Sequence, residues 1–224
     1  MGKMMGYGAT AVLLQQYDIP LPPYQLVTEA DEAVWAATSL GYPVALKAIS
    51  PDLSHKSDRG LVKLGLERAV SVQKAAMELA AAVNWGQEAA LEGYLVQKMV
   101  PAGVEMIIGL HTDPQFGPII ALGSGGVLVE LLDDVALRLP PITMRQAMHM
   151  IEATLSIRLL RGYRHYPPAD IPALARLLVN FSRLAAAETT ITGLDLNPVI
   201  VLPEGQGIGV VDMRAETVTE MEET

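Results

Sequence analysis

The sequence predicts an α/β fold, and three observations carry this prediction. Apolar residues recur at helical spacing in some segments and at strand spacing in others, and the two kinds of segment alternate along the chain. The 224 residues are enough to bury a substantial core. Hydrophobic residues make up 50% of the chain, yet Gly, Pro or charged residues interrupt each apolar run before the ~20 residues that a membrane span requires.

The first half of the chain is predicted to alternate helices and strands. A helix near residues 9–17 ends before "DIPLPPY", because its prolines cannot continue a helix. A strand near 24–27 precedes a helix that Thr28 caps and Gly41 ends. Strands near 43–49 and 61–67 flank a polar loop, an Ala-rich helix follows near 69–83, and the next strand lies near 94–100.

The second half is predicted to hold most of the strands. Three of them lie near 104–110, 117–122 and 127–132. Thr143 and Gln146 form a capping-box pattern before a helix to about 156, and Asp170 followed by Pro172 begins another to about 187. Strands near 198–202 and 207–212 end the fold, and the acidic tail "ETVTEMEET" is expected to be frayed.

The composition argues against several classes of protein. The chain has no cysteine, which rules out disulfides and a cysteine nucleophile and is compatible with the cytoplasmic location that we expect. Its net charge is −9 and its basic residues are scattered, so no nucleic-acid-binding surface is expected. We expect no membrane association and no cleaved leader.

Two residues around the polar loop are candidates for phosphate chemistry. Lys47 lies within an apolar run, where a lysine on a buried face needs an anionic partner such as a nucleotide phosphate. The alternative is a lysine on the solvent face of an edge strand. His55 follows among small polar residues and could be a nucleophile toward phosphorus, a base or an ordinary surface residue.

Oxygen-bearing side chains lie at the margins of the last two apolar runs, at Asp195, Asn197 and Asp212. If the two runs pair as a hairpin, these side chains can converge. Magnesium prefers a few carboxylate or amide oxygens and takes its other ligands from water and phosphates. In the alternative, "DLNP" is an ordinary turn.

The run "ALGSGG" contains Gly123, Gly125 and Gly126, whose amides could form an anion-binding nest. No helix clearly follows this run, and the chain has no Gly-Lys-Ser/Thr sequence, so the dinucleotide and P-loop motifs are absent. By itself the run does not identify a binding site.

Four segments together resemble, in order, the ATP-grasp domain of the ADP-forming acyl-CoA synthetases. They are "GYPVALKAISPDLSHKSDRGLVKLGL", the long run from "VQKMV" to "LPPIT", "LLRGYRHYPPADIPAL" and "LDLNPVIV…VVDMR". The resemblance implies an ATP-grasp fold with two α/β lobes and a nucleotide between them. We accordingly divide the chain into an N-terminal helix and connection (1–25), a first subdomain (26–95) and a second subdomain (96–224).

The resemblance also implies a site for ATP or ADP with Mg²⁺. Lys47 matches the phosphate-binding lysine of the family, and His55 matches the histidine of its second phosphoryl relay. The hinge whose backbone meets adenine matches Gln97, Lys98, Met99 and Val100, and the acidic residue that faces its nucleotide side matches Glu105. The metal ligands match Asn197 and Asp212, with Asp195 as a weaker candidate.

The implied reaction interconverts acyl-CoA, ADP and phosphate with acid, CoA and ATP. In it the chain is a β subunit that acts with an α subunit carrying the CoA-binding and first phosphohistidine domains, in an α2β2-type assembly. The alternative is a non-catalytic ATP-grasp-like module, for regulation or scaffolding, of a fused acyltransferase-type protein. Three positions depart from the family pattern: Leu61 follows Gly60 where a second glycine is usual, His165 replaces a glycine and Gly193 replaces a glutamate.

Overall fold

The computed structural model describes residues 2–50, 60–85, 90–125, 134–164 and 167–218. These ranges contain six helices and eleven strands. The helices are α1 Tyr7–Gln16, α2 Ala30–Leu40, α3 Ala69–Trp85, α4 Met144–Ala153, α5 Ile157–Leu160 and α6 Ile171–Ala187. The strands are β1 Lys3–Met4, β2 Tyr24–Val27, β3 Val44–Ile49, β4 Val62–Leu66, β5 Gly93–Lys98, β6 Val104–Asp113, β7 Gly117–Ser124, β8 Val135–Arg138, β9 Ile191–Val201, β10 Ile208–Val210 and β11 Met213–Thr217.

The chain divides into two compact units, a small unit, Pro22–Val100, and a large unit, Met1–Leu21 with Pro101–Thr224. The observed division differs from the predicted segments 26–95 and 96–224. A boundary at 95/96 would cut β5, which pairs with β2 and β3 as far as Lys98. The N-terminal helix, predicted as a separate segment, belongs to the large unit, where it packs against β11.

The small unit is a four-stranded antiparallel sheet in the order β2-β5-β3-β4, with α2 and α3 packed against it. Apolar residues alternate along the strands to form its core, as Val44, Leu46 and Ala48 do along β3. Successive side chains of a strand point to opposite faces, so Ala45 and Lys47 lie on the face away from α2 and α3.

The large unit is an antiparallel sheet in the order β1-β11-β9-β6-β7-β8, and β10 also pairs with β9. Helix α6 packs against β7 and β9, and α4 packs against α6 and β8. The core joins buried residues of α6 to one face of the central strands. The opposite face, which we call the outer face, carries Glu105 on β6 and Asp195 and Asn197 on β9. Within the described ranges, no helix is long and apolar enough to cross a membrane.

Two of the predicted helix starts are confirmed. Gln146 N donates to Thr143 Oγ1 over 3.3 Å and Thr143 N donates to Gln146 Oε1 over 2.8 Å, which is the reciprocal capping box. Asp170 caps α6, since its Oδ1 accepts from Ala173 N at 3.0 Å and proline stands within the first turn. Local chemistry therefore decides where both helices begin.

The predicted cap of α2 is wrong by one residue. The cap is Glu29, whose side chain forms a capping box with Glu32. Thr28 precedes it and donates its own N–H and hydroxyl to Glu32 Oε2, at 3.0 and 3.1 Å. A glutamate thus performs the capping that sequence preference assigned to the threonine. Gly41 ends the helix as predicted, with φ +76°.

The strands at the sheet edges differ most from the predictions. The predicted strand 127–132 lies outside the described residues, and the edge strand β8 was not predicted. Strand β9 begins at Ile191, well before the predicted start at 198. The end of the chain was also mispredicted, because Glu216 and Thr217 of the supposedly frayed tail pair with β9 as part of β11. Polar residues on the outer face interrupt the apolar runs of these strands and hide their period.

The two phenylalanines of the chain test the position of the core. Phe181 on α6 is fully buried, whereas Phe116 in the β6–β7 turn is 65% exposed. We expect Phe181→Ala to lower the free energy of unfolding by about 3–5 kcal/mol, because it removes buried apolar surface and leaves a cavity. Phe116→Ala should change it by less than about 0.5 kcal/mol. Urea denaturation measures both, and equal losses would contradict the assignment of the core.

Candidate functional site

Lys47 lies inside the small unit. It belongs to β3, which has β5 on one side and β4 on the other, and the residue is only 3% exposed. The interpretation as a solvent-facing lysine of an edge strand is therefore wrong. A buried ammonium requires a partner or a ligand, because its transfer from water is costly. The burial of Lys47 is compatible with the predicted role toward an anion, and that role stays a prediction.

Gln97 shares a sheet face with Lys47. It lies opposite Ala45 of β3, while Lys47 lies opposite Leu95 of β5, so the two polar side chains are diagonal neighbours. Gln97 is 1% exposed. Two buried polar residues are therefore neighbours on the face of the sheet opposite α2 and α3.

Part of the predicted hinge is already hydrogen-bonded within the protein. The Nζ of Lys98 donates to the carbonyl oxygens of Gly41 and Tyr42, at 2.7 and 2.9 Å, and so closes the end of α2. The amides of Lys98 and Met99 donate to Pro23 O and Pro43 O. Among the described residues, the Val100 amide has no hydrogen-bond partner. It is the N–H of the hinge that is available to a ligand.

The loop that holds His55 spans residues 51–59, so this candidate lies outside the described residues. On its N-terminal side, Ser50 is buried, and its hydroxyl is a buried side-chain group with no hydrogen-bond partner in the described part of the chain. On its C-terminal side, Leu61 is 2% exposed within the core of the small unit. Leu61, which stands where a second glycine is usual, thus anchors the chain in this core. The preceding Gly60 adopts φ +69°. The burial of Ser50 was not predicted from the sequence.

Glu105 lies on the exposed outer face of the large unit. Its carbonyl oxygen accepts a hydrogen bond from Gly125 N at 2.8 Å. A Cβ at residue 125 would lie 2.6–2.7 Å from Glu105 atoms, so only glycine fits there. Since its amide is used in this way, Gly125 is not free for the anion nest that the sequence suggested. Gly123 lies in β7, and Gly126 is outside the described residues.

Two of the three predicted metal ligands lie on β9 of the large unit, and the third lies just before β11. Asp195 and Asn197 are two apart on β9 and share the outer face, so the interpretation of "DLNP" as a turn is wrong. Asp212 directly precedes β11, and its carbonyl oxygen accepts from Asn197 N at 3.1 Å. The predicted pairing of the last two apolar runs is confirmed as β9 with β10. The strand that follows Asp212 is β11, which pairs with the earlier part of β9 and places Arg214 opposite Asp195.

Arg214 is the neighbour that sequence reasoning did not use. It is the cross-strand partner of Asp195, and its guanidinium pairs with Glu216 at 3.2 Å. Gly109 of β6 lies on the other side of Asp195. The sequence did carry a signal for this residue, because the strand-like alternation of residues 213–217 places Arg214 and Glu216 on one face.

The pKa of Asp195 is raised above its ordinary value. Desolvation of the carboxyl is the main cause, the negative charge of Asp212 adds to it, and Arg214 opposes it. Asp195 as a residue is exposed, but neighbouring protein atoms still displace enough water from its carboxyl to desolvate it. A cation bound between two carboxylates this close to each other would relieve their repulsion.

This raised pKa predicts an unusual pH dependence. Because the folded-state pKa lies above the unfolded value of about 3.9, the contribution of Asp195 to stability falls as pH rises from there through the folded-state value. Asp195→Asn removes this loss, so we expect the variant to gain stability relative to wild type as the pH rises above about 4. Urea denaturation in EDTA across this range measures the difference.

Asp113 supplies the control of opposite sign. Its pKa is lowered, chiefly by the hydrogen bond from Phe116 N and also by that from Gln115 N. Its contribution to stability is therefore present above the unfolded pKa and is lost as pH falls through the folded value. Asp113→Asn should lose stability relative to wild type near neutral pH. If Asp195→Asn behaves in the same way as Asp113→Asn, the raised pKa of Asp195 is wrong.

Comparison with known proteins identifies the family. A family model for the ATP-grasp domain matches residues 3–216. The chain belongs to the ATP-grasp family. The ATP-grasp fold predicted from the sequence is thereby confirmed. Within the described residues, no group of three or more His, Cys, Asp or Glu side chains is placed to hold a metal ion.

Relatives of this ATP-grasp chain are ADP-forming acetate–CoA ligases. The "Acetate--CoA ligase [ADP-forming] I" of Archaeoglobus fulgidus is 45% identical over 214 residues, which cover 95% of this chain and 31% of that protein. The "Acetate--CoA ligase [ADP-forming] II subunit beta" of Pyrococcus furiosus is 39% identical, with 94% of this chain and 90% of that subunit covered. The chain thus spans about a third of the single-chain relative and nearly the whole of the β subunit.

A solved structure agrees with this assignment. The acetyl-coenzyme A synthetase 1 of Ca. Korarchaeum cryptofilum, in complex with coenzyme A and Ca-AMPCP, has a TM-score of 0.93 and 40% identity. The match covers 96% of this chain and 94% of that one. The predicted resemblance to ADP-forming acyl-CoA synthetases is therefore confirmed at the level of homology.

Proposed function

We propose that this chain is the nucleotide-binding β subunit, or the equivalent segment of a longer chain, of an ADP-forming acyl-CoA synthetase. The observation that carries the proposal is the burial of Lys47 at 3% exposure on the face of its sheet away from the helices. A lysine there is suited to phosphate oxygens, toward which its ammonium acts as a compact charge. The Korarchaeum relative, solved with Ca-AMPCP, supports an adenine nucleotide as the ligand.

The donor set of the large unit fits Mg²⁺. Asp195 and Asp212 repel each other, and Asn197, which shares the outer face with Asp195 and donates its backbone N–H to Asp212 O, would supply an amide oxygen. One or two carboxylates with further ligands from phosphates and water are what Mg²⁺ prefers. These residues would hold the ion, which supplies charge neutralisation for phosphoryl transfer when bound. Glu105 and the free Val100 amide would face the rest of the nucleotide.

His55 is the residue to which we assign the phosphoryl relay. Its neutral imidazole nitrogen attacks a phosphoryl group that the partner delivers, and the bond to the previous carrier breaks. In the second step a β-phosphate oxygen of ADP forms the new P–O bond while the P–N bond to His55 breaks, which leaves imidazole and ATP. Lys47 neutralises the phosphate oxygens in this step. The other substrates are acyl-CoA and phosphate, and the products are acid and CoA.

The partner in this proposal is an α subunit with the CoA-binding and first phosphohistidine domains, in an α2β2-type assembly in the cytoplasm. The relatives exist both as a separate β subunit and as a chain of which this region is 31%. The test is co-purification with the α-type chain encoded beside it, followed by ATP formation from ADP, phosphate and a panel of acyl-CoAs. We expect ATP with at least one acyl-CoA; a stable complex that forms no ATP with any of them would refute the activity.

A further inference from the structure

A buried polar network lies beneath the end of β7, on the side of the sheet away from the outer face. Ser124, the last residue of β7, and Ser156, between α4 and α5, are 3% and 4% exposed. Ser124 Oγ donates to Asp134 Oδ2 over 2.5 Å and lies 2.6 Å from Ser156 Oγ. Leu155 N donates to both carboxylate oxygens of Asp134, at 2.8 and 2.9 Å.

The direction of this network follows from its chemistry. A carboxylate only accepts hydrogen bonds, so the single hydroxyl hydrogen of Ser124 is used on Asp134. Ser156 must then donate its own hydrogen to Ser124 Oγ. The result is a one-way chain, Ser156 to Ser124 to Asp134, in which each bond polarises the next. Such a chain holds its members in one arrangement, because a half-satisfied version would leave a buried hydroxyl unpaired.

The network fixes the backbone that touches Glu105. Ser124 pairs with Met106, the residue after Glu105, and the next residue, Gly125, donates its amide to Glu105 O at 2.8 Å. The contact is so close that no side chain fits at Gly125. A shift of Ser124 would therefore move Gly125, and with it the strand position from which Glu105 projects on the outer face.

We propose that Asp134 and Ser124 are positioning residues of the nucleotide site, which act by setting the position of Glu105. This inference rests on the proposed function. None of the sequence motifs pointed to it, because Ser124 and Asp134 meet through strand pairing and Ser156 joins them from a turn between helices. The residues touch neither ligand nor metal, and their effect on binding passes through Gly125 and Glu105.

The test is a double-mutant cycle on the full chain, with the dissociation constant for Mg-ADP measured by calorimetry. We expect Ser124→Ala to raise this constant about tenfold in the wild-type background and less than about twofold in the Glu105→Ala background. Asp134→Asn keeps the shape, can accept from Leu155 N and can donate to Ser124 Oγ, so its constant should stay within about threefold of wild type. Thermal denaturation reports the stability of each variant.

Ser182→Ala is the matched control. Ser182 is also fully buried, and its hydroxyl accepts from Ile142 N at 3.0 Å and donates to Val179 O at 2.7 Å. Its loss should lower the melting temperature as Ser124→Ala does but leave the Mg-ADP constant within about twofold of wild type. If Ser124→Ala does not fold, Ser156→Ala, which removes only the first donor of the chain, takes its place in the cycle.

The outcomes separate the inference from the proposed function. If wild type binds Mg-ADP and Ser124→Ala binds it equally well, the positioning role is refuted and the proposed function stands. Equal effects of Ser124→Ala with and without Glu105, or an equal effect of Ser182→Ala, would also refute it, because the network would then act on the fold in general. If wild type does not bind Mg-ADP, the proposed function fails and the inference fails with it.

Discussion

Replacing Lys47 by methionine should raise the dissociation constant for Mg-ADP by about 100-fold or more, which corresponds to about 2.7 kcal/mol. The methionine fills a similar volume, so the change removes the charge and keeps the packing. A phosphate bound beside a buried ammonium gains a charge-assisted hydrogen bond that water does not replace. Calorimetric titration of the full chain measures the constant, and circular dichroism shows whether the variant is folded.

Lys63 provides the matched control on the adjacent strand. Its ammonium pairs with Glu78 at 2.7 Å, and its side chain is 36% exposed. Exposed pairs of this kind contribute little to stability. Lys63→Met should therefore leave the constant for Mg-ADP within about twofold of wild type. A folded Lys47→Met variant that binds as tightly as Lys63→Met would show that Lys47 is buried for a purely structural reason.

Replacing His55 by asparagine should lower ATP formation in the complex with the α subunit by about 1,000-fold or more. Asparagine can replace a hydrogen bond of the imidazole but cannot attack phosphorus and carry the phosphoryl group. Mg-ADP binding should be nearly unchanged, because the relay residue acts after the nucleotide has bound. The partner's own histidine should still become labelled from acyl-CoA and phosphate.

His111→Asn is the control for His55. His111 is an exposed residue of β6, six residues after Glu105, and we assign it no contact with the nucleotide. Its replacement should leave ATP formation within about twofold of wild type. A His55→Asn variant that keeps near-normal ATP formation would show that His55 does not carry the phosphoryl group. The family assignment and the nucleotide site would be unaffected.

The sequence predicted those parts of the fold that local chemistry decides. The capping box at Thr143 and the Asp170 start of α6 depend on groups within three residues of each other, so the sequence alone specifies them. The predicted cap of α2 was wrong by one residue because Glu29 forms the capping box with Glu32, while the Thr28 hydroxyl donates to the same Glu32 carboxylate. Local signals thus give a helix start to within a residue.

The predictions failed where pairing between distant strands decides the outcome. Lys47 could be placed in β3 from its neighbours, but whether β3 is an edge or an internal strand depends on β4 and β5. Strand β11 was missed for the same reason, since it is defined by its pairing with β9. The candidate site was predicted mostly by resemblance, and the structure added the burial of Lys47, the use of Lys98 in closing α2 and the proximity of Arg214 to Asp195.

The measurement that tests the account most directly is a titration of the full chain with ADP in the presence of Mg²⁺ and again in EDTA. We expect wild type to bind in both conditions and more tightly with Mg²⁺, because Asn197, Asp212 and Asp195 act through the ion. Asp212→Ala should lose most of the Mg²⁺-dependent gain and keep the binding seen in EDTA. No binding by the folded wild-type chain at about millimolar ADP, with or without Mg²⁺, would contradict the account.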